Sequence, residues 1–291
     1  GLPILLQGQT GTGKSYIAQL TYEYSVEKGI LDKKGSFVTV NCAEYANNPE
    51  LFLTNLFGYK KGSYTGAEKD KAGLLALADG GVLFLDELPE FRKETLEVMR
   101  QPLEDGVVTV SRVNGTVSFP CKFMLVAAMN PCPCGYYGHP TRPCTCSETA
   151  VARYLGRVSG PLLDRIDLHI EVPPVDFRDL SNTAKEESSA SIKVRVDAAR
   201  DIQNKRFANT GITCNAQIPP EMLHEVCRTA PAADALLKNA FEKFGLSARA
   251  YDRVLKVSRT IADLDNSRDI EARHAAEAVR YRTLDRKYWT R

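Results

Sequence analysis

The sequence predicts an α/β protein. A core of parallel strands with helices on both faces spans residues 1–175, a linker spans 176–190, and a small all-helical domain spans 191–291. Three observations predict it. The apolar run from Leu2 to Leu6 leads into a glycine-rich turn and then a helical stretch. A second apolar run, Val82 to Leu85, ends in two acids, Asp86 and Glu87. From Ser188 onward the pattern is helical, as in "SASIKVRVDAARDIQNKRF" and "ARAYDRVLKVSRTIADL".

The first turn reads "GQTGTGKS", Gly8 to Ser15, and fits G-x-x-x-x-G-K-[ST]. Its backbone, through Gly8, Thr10, Gly11, Thr12 and Gly13, is expected to wrap the β-phosphate of ATP, where larger side chains would collide. Lys14 would place its charge on the β- and γ-phosphates, and the Ser15 hydroxyl would ligate Mg²⁺. The following helix would aim its N-terminus at the same phosphates. A chance glycine-rich turn is the alternative, and the placement between a strand and a helix argues against it.

A loop of this kind calls for a partner strand that ends in an acid, and "VLFLDEL" supplies one. Asp86 is expected to hold Mg²⁺ through water and Glu87 to polarise the attacking water. Between the two lies "SFVTVNCAEY", a strand by its alternation and β-branched residues. Asn41 at its end is either an ordinary strand-end residue or a switch that hydrogen-bonds Glu87 and holds it off the water. "GVVTVSRVNGTVSF" reads as a hairpin turning at Asn114-Gly115. "FMLVAAMN" reads as another buried strand, with Asn130 at its tip placed to position the lytic water.

Composition is that of an ordinary globular chain: 291 residues, 43% hydrophobic, net charge +2. So small a net charge makes no strong polyanion field, and nucleic-acid binding would have to come from local patches. No stretch is apolar enough to span a membrane and none reads as a signal peptide, so a cytoplasmic protein with no membrane partner is expected. Four of the eight cysteines cluster as Cys132-Pro-Cys134 and Cys144-Thr-Cys146. Four thiolates suit tetrahedral Zn²⁺, although C-x-C is tighter than the usual C-x₂-C; four reduced thiols in a mobile loop are the alternative. His139 reads as a solvated loop residue. Cys42, Cys121, Cys214 and Cys227 have no ligand spacing. Gly245 is expected to stop a helix and Ser247 to cap the next. Arg280, Arg282, Arg286 and Lys287 read as a solvated basic face.

The order of these motifs resembles the AAA+ ATPases, and among them the branch with a hairpin before the first sensor. The resemblance implies a ring, usually a hexamer, with each ATP at a subunit interface and an arginine supplied by the neighbour. "GPLLDRIDLHIEV" places Arg165 where that family carries an arginine finger. "GLSARAYDRVLKVSRTIADL" places Arg249 where the second sensor of a helical lid sits. For both, a surface salt bridge is the alternative.

Two branches of that superfamily are recognisable. Residues 1–91 resemble the ATPase of sigma-54-dependent transcription activators, chiefly through "FVTVNCAEYANNPELFLTNLFGYKKGSYTGA". Its Gly62-Ser63-Tyr64-Thr65-Gly66-Ala67 is similar to the GAFTGA loop that contacts the sigma factor, with Ser63 and Tyr64 in place of Ala and Phe. From about residue 80, "GGVLFLDELPEF", "AAMNPCPCGYYGHPTRPCTC", "GPLLDRIDLHIEVPPV" and "YRTLDRKYW" resemble the magnesium-chelatase-like ComM/YifB family. That resemblance implies ATP-driven DNA branch migration during natural transformation. Members usually carry a Lon-protease-like domain ahead of the ATPase, and this chain starts at Gly1 already on a strand, so a fragment or a joined mosaic is expected.

Two functions follow as expectations. One is an ATP-hydrolysing DNA motor with helicase-like work, in which Arg112, the hairpin around Asn114 and Lys60–Lys61 touch phosphates. The other is remodelling of a sigma factor by the loop at Gly62, Tyr64, Thr65 and Gly66. A chain that hydrolyses ATP poorly and does neither is the third reading.

Overall fold

The computed structural model describes residues 2–59, 69–112, 115–174 and 187–282. The loop at Gly62, Tyr64, Thr65 and Gly66 lies outside the described residues, as do Lys60, Lys61, Asn114, Arg286 and Lys287. The chain forms two compact units that divide at Pro174.

In chain order the strands are β1 (Ile4–Gly8), β2 (Phe37–Asn41), β3 (Gly58–Tyr59), β4 (Lys71–Ala72), β5 (Val82–Asp86), β6 (Val107–Arg112), β7 (Gly115–Pro120), β8 (Met124–Met129) and β9 (Leu168–Val172). Five of them make one parallel sheet in the order β2-β5-β8-β1-β9. Strands buried on both faces read as continuous apolar runs, and all six residues of β8 are buried. The two faces still alternate. Leu5, Val40, Leu83, Leu85, Leu125 and Ala127 pack with Phe52, Leu56 and Phe91 on one side. Leu6, Val82, Phe84, Val126 and Ala128 pack with Ala18 of the helix Lys14–Glu27 on the other. A parallel sheet of this kind gathers the C-terminal ends of its strands along one edge, and that edge carries the site.

β3 and β4 pair antiparallel, Gly58 with Ala72 and Tyr59 with Lys71. They form a short ribbon that brackets residues 60–68. Gly58 has φ +73, and a Cβ there would lie 2.3 Å from the Lys71 carbonyl oxygen. β6 and β7 form the expected hairpin, in a register that pairs Arg112 with Gly115; residues 113–114 lie outside the described residues.

The second unit holds helices Ser189–Arg206, Pro220–Val226, Pro231–Phe244, Ala248–Leu264 and Ala272–Arg280. Its start and stop signals are chemical. Ser188 accepts from Ser191 N–H at 3.2 Å, and Ser247 from Ala250 N–H at 3.1 Å. Gly245 ends its helix in the left-handed region at φ 54. The last described helix stops at Arg280, and Pro220–Val226 is a short helix headed by prolines. Among the described residues no helix is long and apolar enough to cross a membrane.

Candidate nucleotide site and cysteine cluster

β1 ends at Gly8, which pairs with Val172 of β9 so closely that a Cβ would stand 2.6 Å from the Val172 carbonyl oxygen. Only glycine fits there. Gly11 and Gly13 follow with φ 85 and 79, and a Cβ on either would meet open space. The left-handed backbone, rather than crowding, selects glycine at these two positions. It opens the loop ahead of the helix Lys14–Glu27, whose first N–H groups have no partners within the helix.

Lys14 bridges the strand ends. Its ammonium donates to the carbonyl oxygens of Gly8 and Gln9, both at 2.8 Å, and to Asn130 Oδ1 at 3.1 Å. Burial lowers its pKa, and the Asp86 and Glu87 carboxylates work against that. The Ser15 hydroxyl donates to Asp86 Oδ2 at 3.0 Å, and Asp86 Oδ1 accepts from Glu87 N–H at 2.9 Å. A hydroxyl and a carboxylate oxygen side by side are the hard-oxygen donors that Mg²⁺ takes. Lys14, Ser15, Asp86, Glu87 and Asn130 therefore meet at one edge of the sheet, contributed by the start of the helix after β1 and by the ends of β5 and β8.

Glu87 sits at φ 53, in the left-handed region that few non-glycine residues occupy. Burial pushes its carboxyl above the ordinary carboxylate value. The Asp86 and Glu90 carboxylates push the same way and the Lys14 ammonium opposes them. Asn41 pairs in register with Asp86, so it stands beside this acid. Its Oδ1 accepts from Ala43 N–H at 3.0 Å and caps the turn Cys42–Tyr45. The side-chain oxygen is thus held on its own backbone.

Arg165 is buried within its own unit. It donates through Nε to Glu104 Oε2 at 3.0 Å, through a second nitrogen to the same oxygen, and through NH1 to the Pro161 carbonyl at 2.7 Å. Glu104 and the Pro161 carbonyl hold the guanidinium within the unit. Arg249 lies in the first turn of the helix Ala248–Leu264 in the second unit.

The four clustered cysteines converge. Cys132 Sγ lies 3.4 Å from Cys134 Sγ and 3.7 Å from Cys144 Sγ, and Cys134 and Cys144 are 3.5 Å apart. With Cys146 included, all four sulfurs lie within 4.8 Å of one another. A tetrahedron with Zn–S near 2.3 Å has edges of about 3.8 Å, so the cluster has the size of a closed thiolate site. Partial burial pushes the Cys134 thiol up, but N–H groups of Tyr136 and Thr145 and the neighbouring thiols outweigh it and bring it down to about 5. Burial and the sulfurs of Cys134 and Cys132 push Cys144 up to about 12, against the Cys146 N–H. Thiols this close do not all ionise without a cation among them. His139 stands outside the cluster, with Nδ1 accepting from Thr141 and Arg142 N–H at 3.1 Å each. Cys42, Cys121 and Cys227 are buried.

Some site residues escaped the sequence reading. Glu90 adds charge beside Glu87, and Arg157 donates to both Glu90 and the Pro89 carbonyl. Gln7 and Gln9 are buried, and Gln7 Oε1 and Nε2 and Gln9 Oε1 have no hydrogen-bond partner among the described residues. They line a cavity of about 320 Å³ with Pro131, Tyr137 and Glu171. A signal for Gln7 existed: in "ILLQG" it shares the inward face of Leu5, two residues earlier. Nothing local marked the charge of Glu90 as part of the site.

Residues 59–180 match the model of magnesium chelatase subunit ChlI, and residues 186–282 match that of the ChlI C-terminal part. The competence protein ComM of Haemophilus influenzae is 45% identical over 299 residues, covering 97% of this chain and 56% of the relative. YifB of Escherichia coli is 45% identical over 215 residues, 74% of this chain and 41% of the relative. The transcriptional regulatory protein LevR of Bacillus subtilis is 47% identical over 106 residues, 36% of this chain and 11% of the relative. The chain spans about half the length of the ComM it matches. Similarity to ComM and YifB along most of the chain, with a LevR-like segment of high identity, fits a mosaic of two related branches.

Proposed function

The chain belongs to the magnesium chelatase ChlI-type family of AAA+ ATPases, and we propose that it is the ATP-hydrolysing part of a ring motor that remodels DNA. The observation that supports turnover best is the meeting of Lys14, Ser15, Asp86, Glu87 and Asn130 at one sheet edge. Lys14 neutralises phosphate charge there. Ser15 directly and Asp86 through water would hold Mg²⁺, which when bound would supply charge neutralisation at the phosphate oxygens. Glu87 takes a proton from the attacking water, and its raised pKa brings it closer to neutral, where a base is most effective. Asn130, fixed on Lys14, orients that water. Asn41 beside Asp86 restrains Glu87 through its amide end. Arg165 acts on the ATP of a neighbouring subunit in a homo-hexameric ring, which requires its guanidinium to leave Glu104. Arg249 of the lid serves as the second sensor. The cysteine cluster holds one Zn²⁺.

DNA as the substrate is supported by similarity to a competence protein along 97% of the chain. A second reading, remodelling of a sigma factor, is favoured by the LevR-like segment, since LevR is a transcriptional regulatory protein. Hydrolysis measured with branched DNA, and separately with sigma factor, tests the choice. Stimulation by DNA alone is expected. Stimulation by sigma factor alone overturns the DNA reading, and no hydrolysis under either condition overturns the motor itself.

A further inference from the structure

We infer that the four-cysteine site is a clasp for the nucleotide site, and that metal held by Cys132, Cys134, Cys144 and Cys146 sets the affinity of the loop at Gly8–Ser15 for nucleotide. The inference rests on the zinc reading above.

Three observations carry it. The first is chain continuity. Asn130, whose Oδ1 takes a hydrogen bond from Lys14, is followed two residues later by the fully buried Cys132. The second is contact. Gly135, with φ +82, lies against the phosphate loop, where a Cβ would stand 2.7 Å from Thr10 Oγ1. The turn that brings it there is closed by Gly135 N–H on the Cys132 carbonyl at 3.0 Å, and Tyr137 N–H donates to Cys132 Sγ at 3.3 Å. The third is cover. Pro131, Tyr137, Gly138 and Pro140 of this segment wall the cavity that Gln7 and Gln9 line, so they shield buried amides that have no partner among the described residues.

Residues 131–147 contain no helix or strand. So long an irregular segment keeps one conformation only where its ends and middle are tied. The convergent sulfurs are the tie that spans it, joining residue 132 to residue 146. Thiols are weak hydrogen-bond donors and acceptors, whereas a metal bound by four thiolates is a strong crosslink. With the metal in place, Gly135 is pressed on Thr10 and Asn130 is held at Lys14. Without it, both contacts loosen, and the loop must be ordered when nucleotide binds.

The test separates metal from coupling. Protein purified without chelator is assayed for zinc, and cobalt is exchanged in and read by the absorption of tetrathiolate Co²⁺. Binding of a fluorescent ATP analogue is then measured for the parent chain, for Cys144→Ser and for Gly135→Ala. One metal per chain is expected, with a tetrathiolate cobalt spectrum that Cys144→Ser abolishes. Both substitutions are expected to weaken nucleotide binding about tenfold or more. Gly135→Ala is expected to do so with its cobalt spectrum intact, which decides the matter if Cys144→Ser does not fold. A normal cobalt spectrum with nucleotide affinity unchanged in Gly135→Ala overturns the coupling and leaves the zinc reading standing. No zinc and no tetrathiolate spectrum overturn both.

Discussion

Glu87 combines an uncommon backbone conformation with an unfavourable charge environment. A non-glycine residue at φ 53 costs on the order of 1–3 kcal/mol, and such strain is found where a side chain must be aimed. Its carboxyl is raised by burial, by Asp86 and by Glu90. If Glu87 is the base, Glu87→Gln should keep nucleotide binding and lose turnover, because only the activation of water is removed. Lys14→Ala should lose binding itself, since it removes the positive charge that offsets the phosphates. Equilibrium binding with single-turnover hydrolysis distinguishes the two, and a Glu87→Gln chain that turns over at the parent rate refutes the assignment. The sign of the pH dependence follows. A base must be ionised, so turnover should fall as pH drops through the raised Glu87 pKa. Glu90→Gln removes one of the charges that raise it, so the acid limb of the kcat profile should move to lower pH. A limb that stays or moves upward would exclude Glu87 as the titrating base.

Among the elements, the helix Ala248–Leu264 shows how much of the second unit depends on one acid. Asp263 has no exposed side-chain surface. It takes hydrogen bonds from Arg206 at 2.5 and 2.8 Å, from Arg259 Nε at 3.1 Å and from Asn215 Nδ2 at 2.8 Å. Arg259, itself buried, also donates to the carbonyls of Arg268 and Ser267. One buried carboxylate thus joins Arg206 of the helix Ser189–Arg206, the 3₁₀ turn Asn215–Gln217 and, through Arg259, the loop after its own helix. Removing one member of such a network strands buried positive charge at a cost of about 3–5 kcal/mol. Asp263→Ala should therefore unfold the second unit at markedly lower urea concentration. Circular dichroism at the helix band measures this, and a loss below about 1 kcal/mol, the range of a surface pair, would show that the network is replaceable.

At the scale of the whole molecule, the proposed shared site turns on Arg165. Arg165 is tied to Glu104 within its own unit, so its proposed work on a neighbour's phosphates depends on assembly. Arg165→Ala should leave nucleotide affinity nearly intact and slow hydrolysis by about a thousandfold or more. Mixed with Glu87→Gln chains, it should recover activity, because some interfaces then hold an intact Glu87 and an intact neighbouring arginine. No recovery in any mixture, with assembly shown by light scattering, would place Arg165 in the fold of its own protomer and not in a shared site.

The local chemistry was legible in the sequence because it depends on short spacings. "GQTGTGKS" after an apolar run specifies a phosphate loop wherever it folds, and Ser247 and Gly245 announce helix ends through their own side chain or its absence. The buried strands β5 and β8 were readable from their unbroken apolar runs. Tertiary structure decided what distance along the chain hides. It set Lys14 on Asn130, 116 residues away, Arg165 on Glu104, 61 residues away, and Gly135 against Thr10. Spacing encodes which backbone conformation a residue can take. The partner of a side chain depends on how the sheet orders its strands, and here that order, β2-β5-β8-β1-β9, places β1 beside β8 and so brings a lysine, a serine, two acids and an asparagine to one edge.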